Sequence, residues 1–209
     1  TASGLESEFP GARFFNHLWK SPEHLAGVGA LSCSDVAKIT GGLFEMDVTI
    51  TCNRMALEHD IVIIVGPVFP HEVAGFSGGN KYLFPGVAGR EIINFFHWLG
   101  AVITSPEIIG RKYTPVRAVI DRAAAMLSVE RRAVCMVVNG EGLAGLYCGT
   151  PEDAWSSAAD LSDKIHIKHM GRSFHTVLSC APEMYEDLWT GGKCMYKVEP
   201  VVADGGKVI

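Results

Sequence analysis

The 209 residues are 48% hydrophobic and 20% charged, with a formal net charge of −5. That balance describes a globular chain of one domain, or one domain and part of another. It excludes a nucleic-acid binder that works through a basic surface, and no polybasic run marks a membrane face.

The longest apolar stretch, 61–69, is interrupted by Gly66 and Pro67 and falls far short of the ~20 residues a spanning helix needs. The opening TASGLESEFPGARFF has no basic segment followed by an apolar one, so it is not a secretory signal. Six cysteines stand singly, without a CxxC pair, which reads as reduced, mostly buried thiols in a cytoplasmic protein. The absence of an initiating methionine, and a β-branched run that only begins at 208–209, predict a fragment of a longer protein.

Taken in order, residues 21–29 (SPEHLAGVG) predict a short helix, with Ser21 as N-cap and Pro22 in the first turn. FEMDVTIT at 44–51 alternates and predicts a strand. IVIIV at 61–65 predicts a strand buried on both faces, as in a parallel sheet. Residues 66–90 hold no regular pattern. A helix is expected over 91–99, stopped by Gly100, and another over 115–127, capped by Thr114. AVCMVV at 133–138 predicts a second buried strand. Thr150-Pro-Glu-Asp then starts a helix with cap, proline and acidic first turn in place. FHTVLS at 174–179 predicts a strand, followed by a helix or turn from Pro182 and a new strand near 198–202. Strands alternating with helices at this spacing predict an α/β fold, Rossmann-like with a largely parallel sheet. The start of a second α/β domain is expected beyond Gly171, dividing the chain into 1–171 and 172–209.

A 25-residue irregular stretch inside a compact domain usually carries function. This one leaves the C-terminal end of a strand, where α/β sheets bind ligands. It holds six glycines together with His71, Glu72, Ser77, Asn80 and Lys81, and His97 follows on the next helix. GFSGGNK fails the GxxxxGK[ST] pattern, since Asn80 precedes the lysine and Tyr82 follows it. Backbone amides at Gly78 and Gly79 could still cradle a phosphate. Each of the three main residues has a bland explanation taken alone: a core histidine, a surface lysine, a turn histidine. Gathered in one glycine-rich unit, they suit acid–base chemistry with a lysine whose burial would make its amine nucleophilic, and possible metal ligation. HxxH at His166 and His169 reads as a strand end or loop before it reads as a metal pair. Arg111, Arg117 and Arg122 read as solvated helix faces.

PHEVAGFSGGNKYLFPGVAG followed by FFHWLG resembles the signature segment of the nickel-pincer lactate racemase family. NHLW near His17, IGRKYTPVR, LWTGGKCMYK and VVADGGKVI extend the resemblance over nearly all the chain. The resemblance implies a 2-hydroxyacid racemase or epimerase, with 1–171 as a partial N-terminal catalytic domain. The implied cofactor is a nickel-pincer nucleotide, a pyridinium-3-thioamide-5-thiocarboxylic acid mononucleotide. Lys81 would be joined to it, with Ser77, Gly78, Gly79 and Pro85 around it, and His97 would ligate nickel. His71 would exchange the proton of the substrate hydroxyl and Lys193 would meet the carboxylate, with Trp189 and Thr190 in the pocket. The resemblance also implies cofactor-synthesis and insertion enzymes as partners, and a homo-oligomer is compatible with it. The family's second acid–base histidine, and its phosphate-holding Asp and Arg, come from a segment ahead of Thr1. Thr190 stands where lactate-specific members have glutamine, and the tryptophan of FHWLG is shared with relatives acting on other hydroxyacids. Two alternatives remain open: a metal-dependent hydrolase or lyase using His71, Glu72 and His97, and a non-catalytic truncated paralogue.

Overall fold

Local capping marks where several helices begin. The side chains of Ser32, Thr114 and Thr150 each accept from the backbone N–H three residues on, satisfying donors that the first helical turn leaves free. In this computed structural model, residues 5–183 and 185–209 are described, with the side chains at 5, 6 and 189 left aside. The helices are α1 (Leu5–Glu8), α2 (Cys33–Thr40), α3 (Arg90–Ile103), α4 (Ser105–Ile108), α5 (Pro115–Ala124), α6 (Pro151–His166), α7 (Leu188–Gly191) and α8 (Lys193–Tyr196). None of them is long and apolar enough to cross a membrane.

The strands form four small sheets. β1 (Leu25–Leu31) pairs antiparallel with β2 (Val48–Asn53). β3 (Ile61–Pro67) runs parallel to β6 (Glu130–Asn139), which pairs antiparallel with β7 (Gly142–Gly149), in the order β3-β6-β7. β4 (Pro70–His71) and β5 (Gly75–Phe76) make a minimal hairpin, and β8 (Phe174–Val177) lies parallel to β9 (Val202–Val208). The α/β class holds, but the largely parallel sheet does not: two of the five strand pairings among the described residues are parallel.

The helix expected over 21–29 shrinks to a 3-10 turn, Pro22–His24, and the rest becomes β1. Gly27 and Gly29 weaken any helix there, whereas β2 offers ladder partners on both sides of a bulge at Gly27–Gly29. β3 is not buried on both faces, since Ile61, Ile63 and Val65 are 44%, 59% and 60% exposed. α3 continues through Gly100 to Ile103, because Gly100 packs against Val73, leaving no space for a Cβ. Three of the six cysteines (Cys33, Cys148 and Cys180) are exposed, contrary to the expected burial, and all six are free.

The core joins these pieces under the loop that follows β3. Phe76, Phe84 and Phe96 are fully buried, each worth about 1.5–3 kcal/mol of transfer free energy. Ile92 and Leu99 of α3, Val116 and Ile120 of α5, and Trp155 of α6 complete it. α6 packs across β6 and β7 while α3 packs on β2. His17 ties the N-terminal loop down: Asn53 Nδ2 lies 3.0 Å from Nδ1, and Nε2 donates to the Ala88 carbonyl at 2.9 Å.

Candidate active site

Residues 66–90, expected to hold no regular element, contain the end of β3, the β4–β5 hairpin and a 3-10 turn at Gly79–Tyr82, and the segment is heavily braced. Ser77 Oγ accepts from Phe69 N (2.9 Å) and donates to the Pro67 carbonyl (3.2 Å), while Trp155 Nε1 donates to the Ser77 carbonyl (2.9 Å). Gly79 has φ 58°, and a Cβ there would stand 2.8 Å from Trp155 Cβ; at Gly78 (φ 84°) it would meet Val68 at 2.5 Å. Both glycines are therefore required by packing against the protein itself.

Beneath the loop lies Arg117, which is buried rather than solvated. Its guanidinium stacks 4.0 Å from the Trp155 ring and donates to the carbonyls of Phe76 (2.6 Å) and Gly78 (3.4 Å), with Nε unpartnered. Burial lowers its pKa to about 10, so it stays charged at neutral pH.

Lys81 sits on a 3-10 turn, Gly79–Tyr82, which Asn80 anchors. Asn80 is 1% exposed. Its Nδ2 donates to Asp121 (3.0 Å) and Glu152 (2.8 Å), and its Oδ1 accepts from Arg131 (3.0 Å). A buried amide with all its partners rigidifies what it holds. Lys81 Nζ lies 5.7 Å from the Phe96 ring centroid. Burial foremost, then the charge of Arg117, brings its pKa from 10.5 down to about 8, against the opposing pull of Glu72. At that pKa roughly a tenth of the amine is uncharged at pH 7, and this is the form that attacks an electrophile.

His71 closes β4, its ring centroid 6.5 Å from that of Phe96 in an edge-on arrangement. Nδ1 accepts from the backbone N–H of Val73 (3.0 Å) and Ala74 (3.3 Å), so the neutral ring carries its proton on Nε2. Burial first, and then the Lys81 charge, lowers its pKa to about 3, with Glu72 acting in the opposite sense. His97 is exposed on α3, and its Nδ1 donates to the Ile93 carbonyl at 2.8 Å. That bond fixes the tautomer and leaves the Nε2 lone pair free to bind a metal.

A cavity of about 440 Å³ brings His71, Glu72, His97 and Lys193 together, with Thr104, Ser105, Tyr196 and Glu199 on its wall. Lys193 Nζ approaches Glu72 Oε1 at 3.4 Å, and Glu72 Oε2 is 3.9 Å from His71 Nδ1. Burial opposes ionisation of Glu72, yet its pKa is displaced downward by His71 and Lys193. Lys81, Ser77, Gly78, Gly79 and Pro85 do not line this cavity; Lys81 stands behind it, against Phe96. Thr190 is likewise outside, its hydroxyl donating to Asp187 in a capping box that opens α7. The side chain of Trp189 lies outside the described residues. Although His71, Glu72 and His97 share the cavity, no group of three or more His, Cys, Asp or Glu among the described residues is arranged to hold a metal ion.

Sequence reasoning passed over the cavity's far wall. Thr104 has φ 82°, a conformation costly for a β-branched residue, and Ser105 Oγ is buried without a partner. The signal was present in Thr104-Ser105-Pro106, where a proline just past a helix forces a break and restart.

Residues 14–108 match the family described as the lactate racemase N-terminal domain. The lactate racemase of Thermoanaerobacterium thermosaccharolyticum is 32% identical over 81 residues, which is 39% of this chain and 16% of that protein. A crystal structure of a Thermotoga maritima protein matches all of this chain and 54% of its own, with a TM-score of 0.87 and 31% identity. The lactate racemase apoprotein of Thermoanaerobacterium thermosaccharolyticum matches all of this chain and 48% of its own at a TM-score of 0.81 and 19% identity, a likeness of fold. The chain thus spans about half the length of these solved structures. Residues 14–108 are thus similar to the lactate racemase N-terminal domain, and the fold over the whole chain is similar to that of the two solved structures.

Proposed function

We propose that the chain is the core of a racemase or epimerase of 2-hydroxyacids working through proton-coupled hydride transfer. The supporting observation is that one cavity gathers an imidazole (His71), an ammonium (Lys193) and an exposed imidazole with a free nitrogen (His97), backed by a buried amine of lowered pKa. Those are the groups that a nickel-pincer nucleotide and a hydroxycarboxylate would require.

The residues fit that cofactor. Lys81 offers an amine for covalent attachment, its loop closed by Ser77, Gly78, Gly79 and Pro85, and His97 Nε2 offers a borderline ligand suited to nickel. When bound, the cofactor supplies an electrophile able to accept hydride from the substrate α-carbon. Such a route avoids forming a carbanion next to a carboxylate.

The protein's own share is binding and proton movement. Lys193 pairs with the substrate carboxylate. His71 presents Nε2–H, which donates a hydrogen bond to the substrate's 2-oxygen and polarises it. Taking up a proton there requires a shift of tautomer that releases Val73 and Ala74 from Nδ1. Joining Lys81 to a cofactor converts its ammonium to a neutral amide-type group, which removes the second-largest influence depressing the His71 pKa. Attachment and acid–base competence are thereby coupled. Residues 172–209 begin a second domain, in keeping with the pairing of β8 and β9 only with each other among the described residues.

The test is the parent protein co-expressed with cofactor-making enzymes. An adduct on the Lys81 peptide, stoichiometric nickel, and interconversion of single-enantiomer 2-hydroxyacids by chiral chromatography are expected. An unmodified Lys81 peptide together with unchanged enantiomers sinks the proposal.

A further inference from the structure

The wall of the cavity has an unequal charge inventory. Among the described residues Lys193 is its single ammonium, whereas Glu72 and Glu199 are both carboxylates, and His71 and His97 are the imidazoles. The ammonium is already engaged: Nζ lies 3.4 Å from Glu72 Oε1, with the two side chains 30% and 18% exposed. Half-buried pairs of this kind are screened less than surface pairs, so their charges matter to an incoming ion.

A substrate carboxylate entering beside Lys193 shares one positive charge with Glu72. A monoanion completes a carboxylate–ammonium–carboxylate bridge with one negative charge in excess. A dianion carries its second charge into a volume of about 440 Å³ whose remaining anionic groups are Glu72 and Glu199, with no second ammonium on the wall. Rejection by an unpaired like charge is how sites discriminate ligands that otherwise share every attractive contact. We propose that Glu72 is a specificity determinant that restricts the site to hydroxyacids bearing one carboxylate, by holding Lys193 and repelling a second anionic group. This rests on the racemase reading for the hydroxyacid class, and the charge selection itself is read by binding alone. It also accounts for the contact between Glu72 and Lys193: the attraction keeps Lys193, on the short helix α8, directed into the cavity.

The test uses the 209-residue chain and two probes, L-lactate and L-malate, titrated calorimetrically at pH 7.5 and matched ionic strength. Wild type is expected to bind lactate more tightly than malate. Glu72→Gln, which keeps size and hydrogen bonding but removes the charge, should move the malate-to-lactate affinity ratio toward malate by about tenfold or more. Glu72→Asp should keep the wild-type order, and Lys193→Gln should weaken lactate. Equal affinity of wild type for both acids, a ratio that moves less than about twofold in Glu72→Gln, or no binding of either acid overturns the proposal. Should Glu72→Gln fail to fold by circular dichroism, the wild-type ratio and Glu72→Asp still decide. Charge selection without racemisation by the cofactor-loaded parent refutes the racemase reading and leaves this inference standing; racemisation with an unmoved ratio does the reverse.

Discussion

Replacing Lys81 with methionine should make the protein more stable near neutral pH, even though the variant loses a charged group from a candidate active site. The structure holds the Lys81 ammonium against Phe96 and within reach of Arg117, and its pKa falls from 10.5 to about 8. At about 1.36 kcal/mol per pH unit, that displacement is a folding penalty on the order of 3 kcal/mol. The attraction of Glu72 is already inside the net value. Below pH 8 the lysine is protonated in folded and unfolded chains alike, and the penalty is present in full. Between pH 8 and 10.5 the folded chain has released a proton that the unfolded chain retains, so wild-type stability climbs with pH across that window. Above 10.5 both states are neutral and the penalty is gone. Methionine has similar length and no charge to desolvate, so the variant should lead by on the order of 3 kcal/mol at pH 7 and converge on wild type by about pH 10.5. Urea unfolding followed by tryptophan fluorescence, run on both proteins at half-unit steps from pH 6 to 10.5, measures the difference directly. A variant less stable than wild type at pH 7, or an advantage equal at pH 7 and pH 10, would refute the reasoning. The sign is the informative part: a chain that keeps a destabilising lysine keeps it for chemistry.

Asn80→Ala should cost on the order of 3 kcal/mol, since it strips hydrogen bonds from Asp121, Glu152 and Arg131, all charged. A lower urea midpoint at unchanged slope is expected, and an unaltered midpoint contradicts the anchoring role. In Lys81→Met the His71 imidazole should titrate higher than its starting value of about 3, because the Lys81 charge is the second-largest influence lowering it. Nitrogen-15 shifts of the ring followed against pH report this, and a pKa that stays put or drops is the contrary result.

The parts of the fold legible in the sequence are those set by neighbours along the chain. Thr114 and Thr150 announced α5 and α6 because a cap is a bond three residues long followed by proline. Sheet polarity was illegible because it depends on partners far away: β3 meets β6 some seventy residues on, and β7 turns back to make the sheet mixed. Arg117 looked like a solvated helix residue because nothing near it in sequence reveals Trp155, whose ring covers it. Within the site, His71, Lys81 and His97 could be grouped by eye since one loop and one helix carry all three. The pairing of Glu72 with Lys193 could not, as it joins segments more than a hundred residues apart. Ser77, Gly78 and Gly79 read as ligand-binding residues, while the structure shows what they already hold: Trp155, Arg117, Phe69 and the Pro67 carbonyl at the end of β3.

The outward face of β3 bears on how the molecule behaves in a test tube. Ile61, Ile63 and Val65 form an apolar row on a strand at the margin of its sheet, and the cavity beside them is lined by Phe14 and Phe15. A margin of this kind offers both unsatisfied main-chain groups and greasy side chains to any second strand that drifts past, and solubility then falls steeply as concentration rises. A single lysine at Ile63 would act as a gatekeeper there, deterring such stacking at a position that does not line the cavity of His71 and Lys193.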